Sequence, residues 1–132
     1  MASVRSRDTR PELKLRRALH ARGLRYRVNV RSLPGRPDLV NRLRKIAVFV
    51  DGDYWHGNPA EWRRRGFDSL EAQFPEVKRD FWVRKITANM TRDQEVTETM
   101  TADGWTVIRV WESELRTDLA AVVERIATAW SG

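Results

Sequence analysis

Cysteine is absent from the 132 residues, and histidine and tyrosine occur twice each. Without cysteine there are no disulfides and no thiolate metal sites. With only His20 and His56, a nitrogen-rich metal centre has few ligands to draw on. Long apolar runs are also missing: residues 46–50 form an apolar stretch far short of the roughly 20 residues a membrane span needs. The Arg-rich start lacks the apolar segment of a secretory signal, so a cytoplasmic home is expected. No repeat or low-complexity segment interrupts the chain. A content of 41% hydrophobic and 33% charged residues fits one folded domain over residues 1–132 with a core of its own.

What is present in excess is basic charge. The formal net charge is +7. Residues 1–45 hold 14 Lys and Arg against 3 Asp and Glu, a net of +11, which leaves −4 for the remaining 87. An Arg-dominated stretch such as "RSRDTRPELKLRR" suits phosphate contacts, because guanidinium groups pair with phosphate oxygens in a fork and neutralised phosphates release counterions. A solvated helix face rich in solubilising charge accounts for it equally well.

The spacing predicts a helix starting near Thr9, with Thr9 as N-cap, Pro11 in the first turn, Glu12 as capping-box partner and Gly23 as the stop. "YRVNV" reads as a strand and "SLPGRP" as a turn-rich connection. "DLV" and "KIAVFVD" read as two hairpin strands joined by the bend "NRLR". The second is almost uniformly apolar and therefore central in its sheet. A polar, Arg-rich loop follows "HGNP". A long helix over about 77–102 comes next, with Val83, Ile86 and Met90 at helical spacing and Asp103-Gly104 at its exit. "WTVIRVW" is a fourth strand, and residues 119–130 a closing helix. The order αβββαβα describes an α/β domain whose mixed sheet is covered by helices on both faces.

Two carboxylates stand out against the basic background. Asp38 opens one hairpin strand and Asp51 closes the next, so antiparallel pairing brings the two ends together. Adjacent carboxylates repel unless a cation lies between them. A cysteine-free, histidine-poor chain points to a hard ion with oxygen ligands, Mg2+ or similar. Simpler readings exist for each residue. Asp38 after Pro37 is also a turn residue, Asp51-Gly52-Asp53 a strand-ending turn, Glu12 a cap, His56 a loop residue, and Tyr54 and Trp55 core. "DGDYWHG" nevertheless offers ligand, base and stacking groups within seven residues, more than a core strand needs.

"SLPGRPDLV", "AVFVDGDYWHG", "FWVRKITANMTRD" and "GWTVIRVWESEL", in this order, resemble the very short patch repair (Vsr) endonucleases over residues 9–115. The resemblance implies a restriction-endonuclease-like core of the PD-(D/E)XK superfamily, a mixed four-stranded sheet flanked by helices. It also implies Mg2+-dependent nicking of one DNA strand at T:G mismatches left by deaminated 5-methylcytosine. Asp38 then becomes the central Mg2+ ligand and the Val50 backbone carbonyl a second. Asp51 is a further active-site acid, His56 the catalytic histidine, and Glu12 an active-site glutamate as well as a cap partner. Tyr54, Trp55 and Trp82 match rings that wedge into the base stack, while Lys85, Asn89 and Arg36 match DNA contacts. Asp53, Asn58 and Ser113 stand where relatives carry zinc ligands, so no structural zinc is expected. Loop 58–80 is longer and more basic than in well-known members.

The partner implied is double-stranded DNA with a T:G mismatch, met by a monomer in the cytoplasm, at the nucleoid in a bacterium, with a mismatch-recognition protein as a possible helper. The alternatives are a restriction or defence nuclease that needs no mismatch, and a non-catalytic DNA-binding domain on the same fold.

Overall fold

Thr9 opens the first helix as its spacing predicts: its Oγ1 accepts the Glu12 backbone N–H at 3.4 Å, and α1 runs Arg10–Ala21. The computed structural model describes residues 9–131. Leu15 and Leu19 turn the buried face of α1 inward.

The strand expected at "YRVNV" shrinks to β1 at Arg27–Val28. Asn29 takes φ +49°, which breaks regular pairing, although the Asn29 and Val30 N–H groups still donate to the Asp38 and Pro37 carbonyls at 3.0 and 3.2 Å. The hairpin forms as expected from β2 (Leu39–Asn41) and β3 (Ile46–Asp51). Their antiparallel register pairs Leu39 with Val48 and Asn41 with Ile46. At the bend, Asn41 Oδ1 accepts the Arg44 N–H at 2.9 Å.

Between β3 and the long helix the chain is more ordered than its polarity suggested. Asn58 caps a short helix, α2 (Pro59–Arg64), by accepting the Ala60 N–H at 3.0 Å. Two single 3-10 turns follow at Glu71–Gln73 and Glu76–Lys78. The second occupies the start expected for the long helix, so α3 spans Arg79–Ala102. β4 (Thr106–Trp111) then lies parallel to β3, in register from Ile46↔Thr106 to Asp51↔Trp111. A further short helix, α4 (Glu112–Thr117), separates β4 from α5 (Leu119–Ser131). It begins where Glu114 Oε1 accepts the Trp111 N–H at 2.9 Å.

The sheet is mixed and four-stranded, in the order β1-β2-β3-β4. The period of two along β3 divides its side chains between two cores. Ile46 and Val48 meet Leu15 and Leu19 of α1, Leu115 of α4, and Val122, Ile126 and Trp130 of α5. Ala47 and Phe49 face the other way, with Val40, Trp105 and Met100 of α3. Helices therefore cover both faces. Asp51 shares the parity of Ala47 and Phe49, so the last residue of the central strand belongs to the α3 side. Among the described residues, no helix is long and apolar enough to cross a membrane.

Candidate active site

Asp38 is fixed by the strand it faces. Its N–H donates to the Val48 carbonyl at 2.9 Å, and its Oδ2 accepts the Val50 N–H at 2.6 Å. The start of the first hairpin strand is thus bonded to the end of the second, as antiparallel pairing required. Burial pushes the Asp38 carboxyl up to about 7; the Val50 N–H and Arg16 oppose the rise, and the charges of Glu12 and Asp51 add to it. Glu12 is itself buried on α1, with Arg16 Nη2 3.8 Å from its Oε2.

Asp51 lies in a different setting. Only 7% exposed, it meets Arg109 Nη1 at 3.1 Å from both of its oxygens. Arg109 is held in turn by Thr97 Oγ1, which accepts from its Nε at 2.7 Å, and by the Asp93 carbonyl, which accepts from its Nη2 at 3.0 Å. The guanidinium carbon stands 4.1 Å from the centre of the Phe49 ring. Burial raises the Asp51 carboxyl, and the charges of Arg109 and His56 moderate the rise.

His56 completes the group. Its Nδ1 is hydrogen-bonded to Asp93 Oδ2 and lies 3.9 Å from Asp51 Oδ1. Burial alone would lower the imidazole, but the Asp93 hydrogen bond and the charges of Asp51 and Asp93 outweigh it and raise His56 above its ordinary value. Potential ligand atoms of Asp51, His56 and Asp93 all lie within 4.8 Å of one another. These three residues and Arg109 line an open cavity of about 310 Å³, together with Gly57, Met90 and Trp111.

The loop that presents His56 is packed tightly on α3. Gly57 has φ +73°, a backbone that strains any other residue, and a Cβ there would sit 2.4 Å from Met90 Sδ and 3.3 Å from Ile86 Cγ2, so the loop lies close against α3. Asn89 Nδ2 donates to the Trp55 carbonyl at 2.9 Å.

Tyr54, Trp55 and Trp82 come together as one ring cluster. Tyr54 meets Trp55 edge-on at 5.0 Å, and Trp55 lies 5.8 Å from Trp82. Phe74 and Phe81 extend the cluster, each within 6.4 Å of Trp82. Tyr54, Trp55 and Trp82 are half-buried, and Phe81 is 58% exposed. The Arg65 guanidinium caps the Tyr54 ring at 5.8 Å.

Of the other residues expected to contact DNA, Lys85 is exposed on α3 and Arg36 is exposed in the turn before Asp38. Asn89 already spends its amide on the Trp55 carbonyl, and its Oδ1 accepts from Arg92 at 3.2 Å. Residues 5–8 of the basic N-terminal stretch lie outside the described residues.

Sequence reasoning missed Asp93, Arg109, Phe74 and Phe81. Arg109 had a signal, since it is the one charged residue inside the apolar strand "WTVIRVW". Asp93 had a weaker one, four residues and therefore about one turn beyond Asn89 on the same helix.

Residues 1–63 match the family model described as "DNA mismatch endonuclease Vsr". The chain is 40% identical to the Type II nicking enzyme V.NmeDIP of Neisseria meningitidis serogroup C, over 98% of this chain and 82% of that one. It is 41% identical to the Type II nicking enzyme V.HpaIIP of Haemophilus parainfluenzae, over 86% and 75% of the two chains. With the DNA mismatch endonuclease Vsr of Escherichia coli K12 it shares 34% identity, over 88% and 69%. Likeness of this extent spans α1, the sheet and the helices that cover it, and the chain belongs to the Vsr family of DNA endonucleases.

Proposed function

We propose that this DNA endonuclease nicks one strand of duplex DNA at T:G mismatches, on the 5′ side of the mismatched T, leaving 5′-phosphate and 3′-hydroxyl ends. The observation that carries the reading is the meeting of Asp51 and His56 at the end of β3, with the charge of Asp51 reaching Asp38, next to a half-buried cluster of aromatic rings. A general nuclease needs the acids and the histidine but has no use for the rings.

The acids fit a divalent cation unequally. Arg109 already stands between Asp51 and Asp93, 3.1 Å from one carboxylate and 3.8 Å from the other, so the chain itself supplies the positive charge there. Asp38 is held towards the protonated form by burial and by two neighbouring acids, and a cation beside it would restore the carboxylate. The Asp38 carboxylate, the Val50 carbonyl and Asp51 offer oxygen only, the donor type that Mg2+ prefers. When bound there, Mg2+ would polarise the scissile phosphodiester and lower the pKa of the attacking water.

His56 acts as the proton acceptor for that water. Its bond to Asp93 commits Nδ1 and leaves Nε2 as the basic nitrogen. Glu12, buried behind Asp38, adds negative charge where a cation is held. Tyr54, Trp55 and Trp82 wedge into the base stack at the mismatch. A T:G wobble unstacks more readily than a matched pair, so the wedge converts weak pairing into selectivity. Lys85 and Arg36 contact the DNA, while Asn89 keeps Trp55 in place.

The protein works as one domain with a restriction-endonuclease-like core, as a monomer in the cytoplasm or at the nucleoid, with a mismatch-recognition protein as its possible helper. A second reading, a nuclease allied to a restriction system that needs no mismatch, draws on relatives whose names call them Type II nicking enzymes.

One experiment separates the two. Pure protein and Mg2+ are incubated with labelled duplexes containing T:G, U:G or C:G in varied contexts, with an EDTA control. Nicking of the T strand alone is expected, and none in EDTA. Equal cutting of every duplex would overturn the mismatch requirement.

A further inference from the structure

Asp53 stands in the middle of the functional loop and contributes to neither the acidic group nor the ring cluster. Its carboxylate is nonetheless fully engaged. Oδ1 accepts from Asn58 Nδ2 at 2.8 Å and also from the Ser113 hydroxyl. Oδ2 accepts the Ser113 backbone N–H at 2.9 Å. The Asp53 carbonyl closes the loop by accepting the Asn58 N–H at 2.9 Å.

One side chain therefore joins two segments sixty residues apart: the loop leaving β3 and the first turn of α4. Asn58 is 7% exposed, and its Oδ1 caps α2 at the same time. Between the two ends of this short circuit lie Tyr54, Trp55 and His56, the residues on which chemistry and stacking depend.

We propose that Asp53 is a positioning residue, whose carboxylate clamps loop 53–58 to α4 and so sets where His56 and the Tyr54–Trp55 pair stand. The proposal rests on the nuclease reading for its kinetic consequence, though not for its structural one. The opposite side of the loop already leans on α3 through Gly57 and Asn89. Asp53 supplies the second support, and a loop held on one side alone can pivot. A charged acceptor with two N–H donors and a hydroxyl makes strong hydrogen bonds, so no metal is needed for the clamp. Displacing a general base by about an ångström costs on the order of 100-fold in rate, and loss of a residue that orients one typically costs about 10- to 100-fold.

The test compares Asp53→Ala, Asp53→Asn, Ser113→Ala and the double variant Asp53→Ala/Ser113→Ala, at a temperature where each is folded by circular dichroism. Single-turnover nicking at saturating DNA should slow about 10- to 100-fold in Asp53→Ala. Its reaction amplitude should stay near that of the wild type, and its Kd for DNA should change less than about threefold, since phosphate contacts lie elsewhere. Asp53→Asn keeps one acceptor oxygen and should recover part of the rate. The double variant should be no slower than Asp53→Ala, because both changes cut the same link. Backbone amides 54–58 and that of Ser113 should exchange faster in Asp53→Ala.

A full amplitude with an unchanged rate would overturn the proposal. So would a loss confined to amplitude, which marks unfolding, or unchanged amide exchange. Should the wild type nick no duplex at all, the nuclease reading fails while amide exchange still decides the clamp.

Discussion

The two faces of the sheet use the same strand for different ends. Towards α1, α4 and α5, β3 presents Ile46 and Val48 to a core of Leu, Val, Ile and Trp side chains that are nearly inaccessible to water. Towards α3 it presents Ala47 and Phe49 and then Asp51, and the apolar core stops at Phe49. From there Arg109 lies over the Phe49 ring and passes its hydrogen bonds to Thr97, Asp93 and Asp51. One face gains stability from burying apolar area. The other gives up part of that gain to hold charged groups close together, and those groups stay in place because each finds a partner. The two faces should therefore fail in different ways when altered.

The largest effect is expected among the acids at the end of the hairpin. Asp38→Asn should abolish nicking, a loss on the order of 1,000-fold or more if several kcal/mol of Lewis-acid assistance go with it, while DNA binding persists in a filter or anisotropy assay. The same variant should change stability in a pH-dependent manner. In the metal-free protein the folded Asp38 carboxyl keeps its proton to about 7, whereas the unfolded chain releases it near 3.8. The folded form is therefore favoured by this group at low pH, and that contribution is lost as pH rises from about 4 to 7. Melting temperatures of the wild type should show this decline, and Asp38→Asn should show a smaller one, since the raised Asp51 carboxyl contributes in the same direction. Activity retained by the variant would remove Asp38 from the role of metal anchor.

On the apolar side, Ile126→Ala should destabilise the fold by about 2–5 kcal/mol, because Ile126 is fully buried between α5 and the sheet. Denaturant titration reads that loss, and the nicking rate per folded molecule should stay as in the wild type. A change in intrinsic rate would show that the two faces are not independent.

A smaller effect is expected from Asp93→Asn, about 10- to 100-fold in rate with little change in stability. The Asp93 bond and charge raise His56, so their removal lowers it. With His56 as the proposed proton acceptor, the basic form of the imidazole is the active one, so the acid limb of the pH–rate profile should move to lower pH while the plateau falls. An unmoved limb would separate Asp93 from His56.

Much of this arrangement is legible in the sequence because it is local. The Thr9 cap, the hairpin, the apolar β3 and the final strand and helix follow from caps, alternation and glycine stops. β1 is shorter than "YRVNV" suggests because Asn29 takes a left-handed conformation. α2 has a start signal in "NPAE", an Asn cap followed by Pro, but the three arginines after it make the stretch look like a polar loop. In the site, Asp38, Asp51 and His56 sit on or next to two paired strands, so pairing logic reaches them. Asp93 and Arg109 come from α3 and β4, and their meeting with Asp51 depends on a crossover that no short-range pattern encodes. The part played by Asp53 was hidden for the same reason, since its partner Ser113 lies sixty residues away.

α3 ties these pieces to one axis. At about 1.5 Å per residue its 24 residues make a rod about 36 Å long. Trp82 is near one end, Asn89 and Asp93 are at the middle, Thr97 follows, and Met100 is anchored in the core. About 16 Å of rigid backbone separates the Trp82 ring from the carboxylate that steadies His56. Under the proposed reading, a base that presses on that ring pushes on the same rigid helix that carries Asp93, the hydrogen-bond partner of His56.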